Sequence, residues 1–186
     1  MRKNFGKKPW CYPQPVFILA AYDKEGNPNA MNVAWGGIHY DDQIAMCISA
    51  GHKTTANILE TGAFTVSMAT KEQLVACDYV GVVSGNKVSD KFNKAGFTSV
   101  KSEFVNAPII PELPMTIECK LVSYDPESCN LIGEIVNVSA DESICNEKGK
   151  IDPFKLRPIT FDPVNNAYLE IGEKVGNAFR DGLKLK

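Results

Sequence analysis

One stretch of the chain, residues 26–58, carries the features that decide the fold and indicate a ligand site. Its sequence is GNPNAMNVAWGGIHYDDQIAMCISAGHKTTANI. A turn at 26–28 leads into an extended run, 29–39, in which small and polar residues are set among apolar ones. A second short run follows at 43–49, and the stretch ends at Lys53-Thr54-Thr55, where a helix is expected to begin.

The segments on either side of this stretch predict strands joined by turns. The apolar run 16–22 ends in turn residues and is expected to form a hairpin with 29–39. Residues 115–124 and 129–140 alternate apolar with polar side chains and predict a long hairpin. Shorter strands are expected at 64–68, 159–161 and 168–171.

Four helices are predicted among these strands. The first has Thr54 as its N-cap and ends at Gly62, and the second covers 71–79. The third covers 89–96 with Ser89 as its cap, and apolar spacing predicts a fourth within 172–182. Strands at short intervals with interrupting helices favour a mainly β chain with peripheral helices, an antiparallel barrel or sandwich, folded as one domain over 1–186.

Composition excludes several classes of function. The chain is 44% apolar and 23% charged, with a net charge of −2, which is ordinary for a soluble globular protein. Basic residues are scattered except in the arm MRKNFGKK at 1–8, so no nucleic acid or anionic membrane is expected as a partner. The longest apolar run, 16–21, is too short to span a bilayer. We therefore expect a cytoplasmic protein.

The common catalytic and metal-binding signatures are missing. Six cysteines lie without any C-x-x-C pair, and there are only two histidines, so no metal site is predicted and six reduced thiols are expected. The chain has no G-x-G-x-x-G, Walker or G-x-S-x-G sequence. No catalytic residue is assigned.

The end of the opening stretch has the residue types of a phosphate site. A phosphate group binds well where a helix N-terminus offers free N–H groups beside hydroxyls and a cation. Ser49, Lys53, Thr54 and Thr55 supply these groups around the expected helix start. The alternative is an ordinary helix cap followed by a surface lysine.

The extended run 29–39 has the residue types of a wall for a planar cofactor ring. Asn29, Met31, Asn32 and Trp35 lie among small residues that permit close approach of a ligand to the backbone. Two asparagines are unusual inside a strand, which favours a site. The alternative is an edge strand whose tryptophan belongs to the core.

Three sequence blocks, in order, resemble one known family. They are G-x-P-N-A-M-N-V-A-W at 26–35, S-x-x-x-K-T-x-x-N-I at 49–58 and T-G-x-F-x-V-S at 61–67. The combination resembles the flavin reductase-like split barrels that bind flavin mononucleotide (FMN), and is most similar to their flavoredoxin branch. The resemblance continues through Asp90-Lys91-Phe92 and Tyr168-Leu169-x-Ile171-Gly172 and is least diagnostic over 97–165.

This resemblance implies a six-stranded antiparallel Greek-key split β-barrel and a homodimer that holds non-covalent FMN near the subunit interface. It further implies that one set of residues contacts the ring and the ribityl chain. A second set, in which Thr55 is the weaker candidate, would hold the phosphate. A lysine of the third helix would approach the cofactor. The residues are Asn29, Met31, Asn32 and Trp35 for the ring, Ser49, Lys53, Thr54 and Thr55 for the phosphate, and Lys91.

Two residues depart from the family pattern, and Lys91 has an alternative interpretation. Many relatives carry Thr or Ser at the position of Asn32, and Arg at the position of Lys53. Lysine binds phosphate as a point charge without the bidentate fork of arginine, so the departure concerns affinity. Lys91 could instead be a solvated helix residue. His52 is interpreted as an exposed turn residue, and the side of the strand that His39 faces is left open.

The resemblance leaves three functions in view. The first is an FMN-dependent oxidoreductase that is reduced by NADH or NADPH, as in flavin reductases. The second is a flavoredoxin-like electron carrier that a redox protein partner reduces. The third, weaker because the site residues would then have no task, is a cofactor-free binding module on the same barrel.

Overall fold

The computed structural model describes all of residues 1–186 and is built mainly from antiparallel strands. The strands are β1 (Gln14–Pro15), β2 (Phe17–Tyr22), β3 (Pro28–Val33), β4 (Gly36–Tyr40), β5 (Gln43–Cys47), β6 (Ala63–Met68), β7 (Val100–Lys101), β8 (Pro108–Ile109), β9 (Met115–Asp125), β10 (Asn130–Ala140), β11 (Ile159–Asp162) and β12 (Ala167–Glu170). The helices are α1 (Lys53–Thr61), α2 (Leu74–Val82), α3 (Lys91–Lys94) and α4 (Pro153–Leu156), with 3-10 turns at Glu142–Ile144 and Asp181–Leu185.

The main sheet has seven strands in the order β3-β2-β6-β9-β10-β5-β4, and all neighbours are antiparallel. Strands β3 and β4 stand at opposite ends of this sheet, yet only Ala34 and Trp35 separate them in the chain. Because this link spans at most about 11 Å, the two end strands must approach each other and the sheet curls. The result is a split barrel, which confirms the mainly β fold class.

Apolar side chains cover the main sheet on both faces. Phe17 and Leu19 of β2 belong to the larger core cluster inside the curl, whereas Ile18 and Ala20 belong to a second cluster. Residues of α2, α3 and β11 complete this second cluster. A strand buried on both faces accounts for the unbroken apolar run 16–21.

The strand predictions are confirmed with one correction. Strands β9 and β10 form the long hairpin, and β11 and β12 match the two short C-terminal segments. The run 29–39 is two strands and not one, because the chain leaves the sheet at Ala34 and Trp35. The barrel sheet therefore has seven strands where six were expected.

Three helices are confirmed with shifted boundaries. Helix α1 begins at Lys53 with His52 as its N-cap, so the prediction of Thr54 as the cap is wrong. Helix α2 starts and ends three residues later than expected. Helix α3 has only four residues and follows Asp90 instead of Ser89. No helix has the length and apolar character needed to cross a membrane.

The prediction of a C-terminal helix within 172–182 is wrong. Residues 171–177 have no regular structure, and a 3-10 turn forms only at Asp181–Leu185. Val175 and Phe179, whose spacing suggested the helix, are both fully exposed. A short helix without a face to bury is marginal in water, and three glycines in this segment weaken it further.

Candidate functional site

A cleft of about 330 Å³ opens at the link between β3 and β4, and we call it the barrel cleft. Its walls come from β3, β5, α2, the start of α1 and the β11–β12 hairpin. The lining residues are Asn32, Val33, Ala34, Trp35, Cys47, His52, Asp78, Gly81, Val82, Phe161 and Tyr168. Curling of the sheet thus brings five separate segments of the chain to one place.

The barrel cleft combines free backbone groups with an aromatic wall. Strand β3 is an end strand, so one of its edges has N–H and C=O groups without a strand partner. Trp35 follows this edge, and 54% of its surface is exposed. Backbone donors and acceptors beside aromatic and apolar side chains suit a flat heterocycle with a polar rim.

A tyrosine and a carboxylate form a hydrogen-bonded pair in the wall of this cleft. The Tyr168 hydroxyl donates to Asp78 Oδ1 at 2.7 Å. Burial and the bond to the Asp78 carboxylate raise the pKa of Tyr168 to about 12, and the neighbouring Asn32 side chain opposes this shift. Tyr168 is therefore a neutral hydroxyl at physiological pH. Asn32 is itself fixed, because its Nδ2 donates to the Cys77 carbonyl at 3.3 Å.

A second cavity, of about 390 Å³, lies farther back along β3, and we call it the hairpin pocket. It is mostly polar and contains Asn29 and Lys53. Lys53 Nζ lies 3.8 Å from Asp23 Oδ2, and the lysine side chain is partly exposed. Gly85 passes directly over Asn29, because a Cβ at this position would overlap Asn29 Oδ1. The remaining lining residues are Asn27, Pro28, Ser89, Asp90, Phe92 and Asn93.

The threonine hydroxyls at the start of α1 are used inside the protein. Asn29 Nδ2 donates to Thr54 Oγ1 at 2.6 Å, and Thr55 Oγ1 donates to the Ser49 carbonyl at 2.9 Å. Both threonines are buried, whereas Ser49 is exposed. The first N–H groups of any α-helix have no partner within the helix. The start of α1 therefore offers backbone N–H groups and Lys53 to an anion.

Met31 and Lys91 lie away from both cavities. Met31 pairs with Leu19 and packs against the core inside the curl, on the face of β3 opposite to Asn32. Lys91 is 3% exposed, and its Nζ donates to the carbonyls of Val80 and Val83 at 3.1 and 3.0 Å. Burial lowers the pKa of Lys91 to about 8. Lys91 is thus a buried lysine beneath the end of α2 and not a solvated one.

The structure brings together part of the predicted site and adds residues to it. Asn32 and Trp35 share the barrel cleft, and Asn29 and Lys53 share the hairpin pocket. Sequence reasoning missed Cys47, Asp78, Gly81, Val82 and Phe161, for which no local signal exists. Tyr168 lies in the last block of the family resemblance, and that block could have identified it. His39 and His52 are both exposed, and His52 borders the cleft.

Comparisons with known proteins identify the family. The chain matches the family described as "Flavin reductase like domain" over residues 10–154. Its structure is similar to flavoredoxin of Desulfovibrio vulgaris (Miyazaki F), with a TM-score of 0.93, 38% identity, and coverage of 98% of this chain and 100% of that one. The flavoredoxin from Methanosarcina acetivorans gives a TM-score of 0.89 with 27% identity, and both chains are fully covered.

Two further relatives extend the comparison. An uncharacterized protein of Aquifex aeolicus (strain VF5) is 28% identical over 156 residues, which is 79% of each chain. The FMN-binding domain of a flavin reductases-like enzyme from Shewanella baltica OS155 shares the fold, with a TM-score of 0.78, 21% identity and coverage of 88% and 89% of the two chains. The protein belongs to the flavin reductase-like domain family.

Proposed function

We propose that this chain binds FMN non-covalently and acts as a flavin-dependent oxidoreductase that is reduced by NADH or NADPH. The observation that carries the proposal is the order of the two cavities along β3. Asn29 in the hairpin pocket and Asn32 in the barrel cleft are three residues apart, or about 10 Å along an extended strand. A ribityl chain can bridge that separation, with the ring in the cleft and the phosphate in the pocket.

The residues of the barrel cleft fit a flavin ring. When bound, FMN supplies a redox centre that takes up a hydride or electrons and carries negative charge on its pyrimidine side once reduced. The free N–H groups of β3 are donors fixed in advance for that charge, and Tyr168, whose hydroxyl donates to Asp78, shapes the cleft wall. Trp35 and Asn32 orient the ring. Lys91 adds positive charge from beneath the end of α2 and fixes the backbone that lines the cleft there.

Lys53 is the residue of the hairpin pocket that can pair with a phosphate group, and the carboxylates of Asp23 and Asp90 oppose it. Lys53 exchanges its contact with Asp23 for the phosphate, and α1, which begins at Lys53, has first N–H groups without partners within the helix. Thr54 acts through Asn29, whose side chain it holds. Ser49 borders the helix start and Thr55 fixes the Ser49 carbonyl, whereas Met31 supports β3 from the core side.

A second candidate function is an electron carrier that a redox protein partner reduces, without NADH or NADPH. The similarity to two proteins that are named flavoredoxins favours it. Both candidates include a cytoplasmic homodimer with FMN near the subunit interface. Exposed apolar side chains beside the barrel cleft, on β4 and α2, support such an interface.

The colour of the purified protein tests the proposal. We expect a yellow protein that releases FMN in acid. A colourless protein that also fails to bind added FMN would exclude both flavin functions and favour a cofactor-free binding module. Anaerobic addition of NADH or NADPH then separates the two flavin functions. Rapid bleaching supports the oxidoreductase, and bleaching only by dithionite or a reduced partner protein supports the carrier.

A further inference from the structure

The N-terminal arm forms one side of an open groove beside the barrel cleft. This cavity, which we call the arm groove, has a volume of about 590 Å³ and lies between residues 8–15 and the β3–β4 link. On the arm side it is lined by Lys8, Pro9, Trp10, Cys11, Pro13, Gln14 and Pro15, and on the barrel side by Ala34, Trp35, Gly36 and Cys47. Of these residues, only Trp35 also contacts FMN in the proposed function.

Specific contacts hold the arm in place. The Tyr12 hydroxyl donates to the buried Asp162 carboxylate. Gln14 pairs with Phe161 across β1 and β11, and its N–H donates to Thr160 Oγ1 at 3.0 Å. The hydroxyl of Thr160 in turn donates to the Gln14 carbonyl at 2.7 Å. The arm is therefore anchored to the β11–β12 hairpin at Tyr12, Gln14 and Pro15.

The arm groove has the chemistry of a nucleotide site. Trp10 and Trp35, which are 38% and 54% exposed, line its two sides and offer indole rings for stacking against a flat base. Lys8 Nζ lies over the Trp10 ring, 5.8 Å from its centre, and the Phe5 ring packs edge-on against Trp10 at 5.6 Å. A base that stacks on the Lys8 side of Trp10 would displace the ammonium group from the ring and pair with it through a phosphate.

Charge along the arm favours the same ligand class. Residues 1–12 contain Arg2, Lys3, Lys7 and Lys8 and no acidic residue, although the whole chain has a net charge of −2. A local positive potential on a weakly acidic protein attracts phosphates to this one region.

The arm groove and the barrel cleft are continuous. Ala34, Trp35 and Cys47 line both cavities, so Trp35 stands between them. We propose that the arm groove binds the adenylate half of NADH or NADPH, with the purine on the indole rings and phosphate at Lys8, while the nicotinamide half enters the barrel cleft. This inference rests on the proposed function and specifies where the NADH or NADPH donor binds.

The test compares donors with and without an adenylate half on FMN-loaded protein. The variants are Lys8→Ala and Trp10→Ala, with Lys148→Ala as the control, because Lys148 is exposed on a loop outside all three cavities. We expect the KM for NADH to rise about tenfold in each arm variant, because each substitution removes about one charge-assisted or stacking contact. With reduced nicotinamide mononucleotide, which lacks adenylate, the same variants should match the control. Equal losses with both donors would overturn the proposal.

A binding measurement keeps this test independent of flavin reduction. ADP-ribose, which lacks nicotinamide, is titrated into FMN-loaded protein by calorimetry, so that FMN already fills its own site. We expect ADP-ribose to bind the wild type and the Lys148→Ala control, and to bind both arm variants about tenfold more weakly. Absence of binding to the wild type, or equal binding to all variants, would refute the groove assignment. If neither NADH nor reduced nicotinamide mononucleotide reduces FMN, while ADP-ribose binds as expected, the result would refute only the donor in the proposed function.

Discussion

At the scale of single residues, Lys53 is the only cationic side chain that lines the hairpin pocket. We expect Lys53→Ala to raise the Kd for FMN about tenfold or more, since a hydrogen bond to a charged group contributes about 1.5–3 kcal/mol. Thr54 is left unchanged in this experiment, because its hydroxyl holds Asn29 and its loss would disturb the pocket indirectly. Quenching of FMN fluorescence during titration measures the affinity.

A nearby lysine provides the control for Lys53. Lys24 lies in the turn between β2 and β3, is strongly exposed and forms an ion pair with Glu25 at 3.7 Å. Lys24→Ala should bind FMN as the wild type does. If Lys53→Ala and Lys24→Ala retain FMN equally well, the phosphate is not held at the start of α1.

The buried Lys91 should make stability depend on pH. Its pKa falls from 10.5 to about 8 because of burial, so between these two values the unfolded chain binds more protons than the folded one. The contribution of Lys91 to the free energy of unfolding therefore rises with pH between about 8 and 10.5. At lower pH Lys91 stays charged in the folded protein, and the full cost of burying that charge remains. Urea unfolding of wild type and Lys91→Met between about pH 7 and about pH 10 measures this contribution.

Comparison of the two proteins isolates the lysine. The buried thiols of Cys77 and Cys119, whose pKa burial raises to about 12, titrate in both proteins and cancel in the difference. The loss of the bonds to Val80 and Val83 lowers the stability of Lys91→Met by an amount that changes little with pH. The advantage of the wild type should thus grow with pH. Parallel pH profiles would show that Lys91 is not the source of the dependence.

At the scale of secondary-structure elements, β10 passes very close to a core aromatic ring. A Cβ on Gly133 would overlap the ring of the fully buried Phe64, at a point where the β9–β10 register shifts. We expect Gly133→Ala to lower the free energy of unfolding by about 1–3 kcal/mol, the usual cost of overpacking. Gly37→Ala in β4 is the control, because a Cβ there meets nothing within 4 Å. Equal stability of the two variants in urea would mean that β10 shifts away from Phe64 without cost.

Elements were predictable where their signal is local. In the β9–β10 hairpin, apolar and polar residues alternate over 115–121 and a turn sequence follows at 125–128, so its bounds were found almost without error. The break at Ala34 and Trp35 was missed because the small residues of 29–39, Gly36-Gly37 among them, were interpreted as room for a ligand and not as an interruption of the strand. The periodic spacing of Val175 and Phe179 was misleading because no surface is available to bury that face.

At the scale of the whole molecule, apolar side chains remain exposed around the barrel cleft. Ile38 and Tyr40 lie on β4, and Val75 and Val82 lie on α2. Apolar surface of this kind is typical of a subunit interface. We therefore expect a homodimer of twice 20.4 kDa in size-exclusion chromatography with light scattering. Ile38→Glu should weaken the dimer and FMN retention together, and a monomer that retains FMN fully would contradict a site near the interface.

The candidate site is a property of the whole molecule more than of its motifs. Asn29, Asn32, Trp35 and Lys53 were found because they lie in one short stretch with an unusual composition. The other walls come from β5, α2 and the β11–β12 hairpin, which meet only after the sheet has curled. Asp78 is an ordinary helix residue in the sequence, and only its bond to the Tyr168 hydroxyl distinguishes it.

The pairing of β1 with β11 has a consequence for the order of events during synthesis. Gln14 finds its partner only when Phe161 has been made, which at about 5–20 residues per second is a delay on the order of ten seconds. Until then the basic arm and Trp10 have no fixed place on the growing chain. A chain that stopped at residue 154, the end of the family match, would contain every strand of the main sheet and yet leave the arm without its anchor.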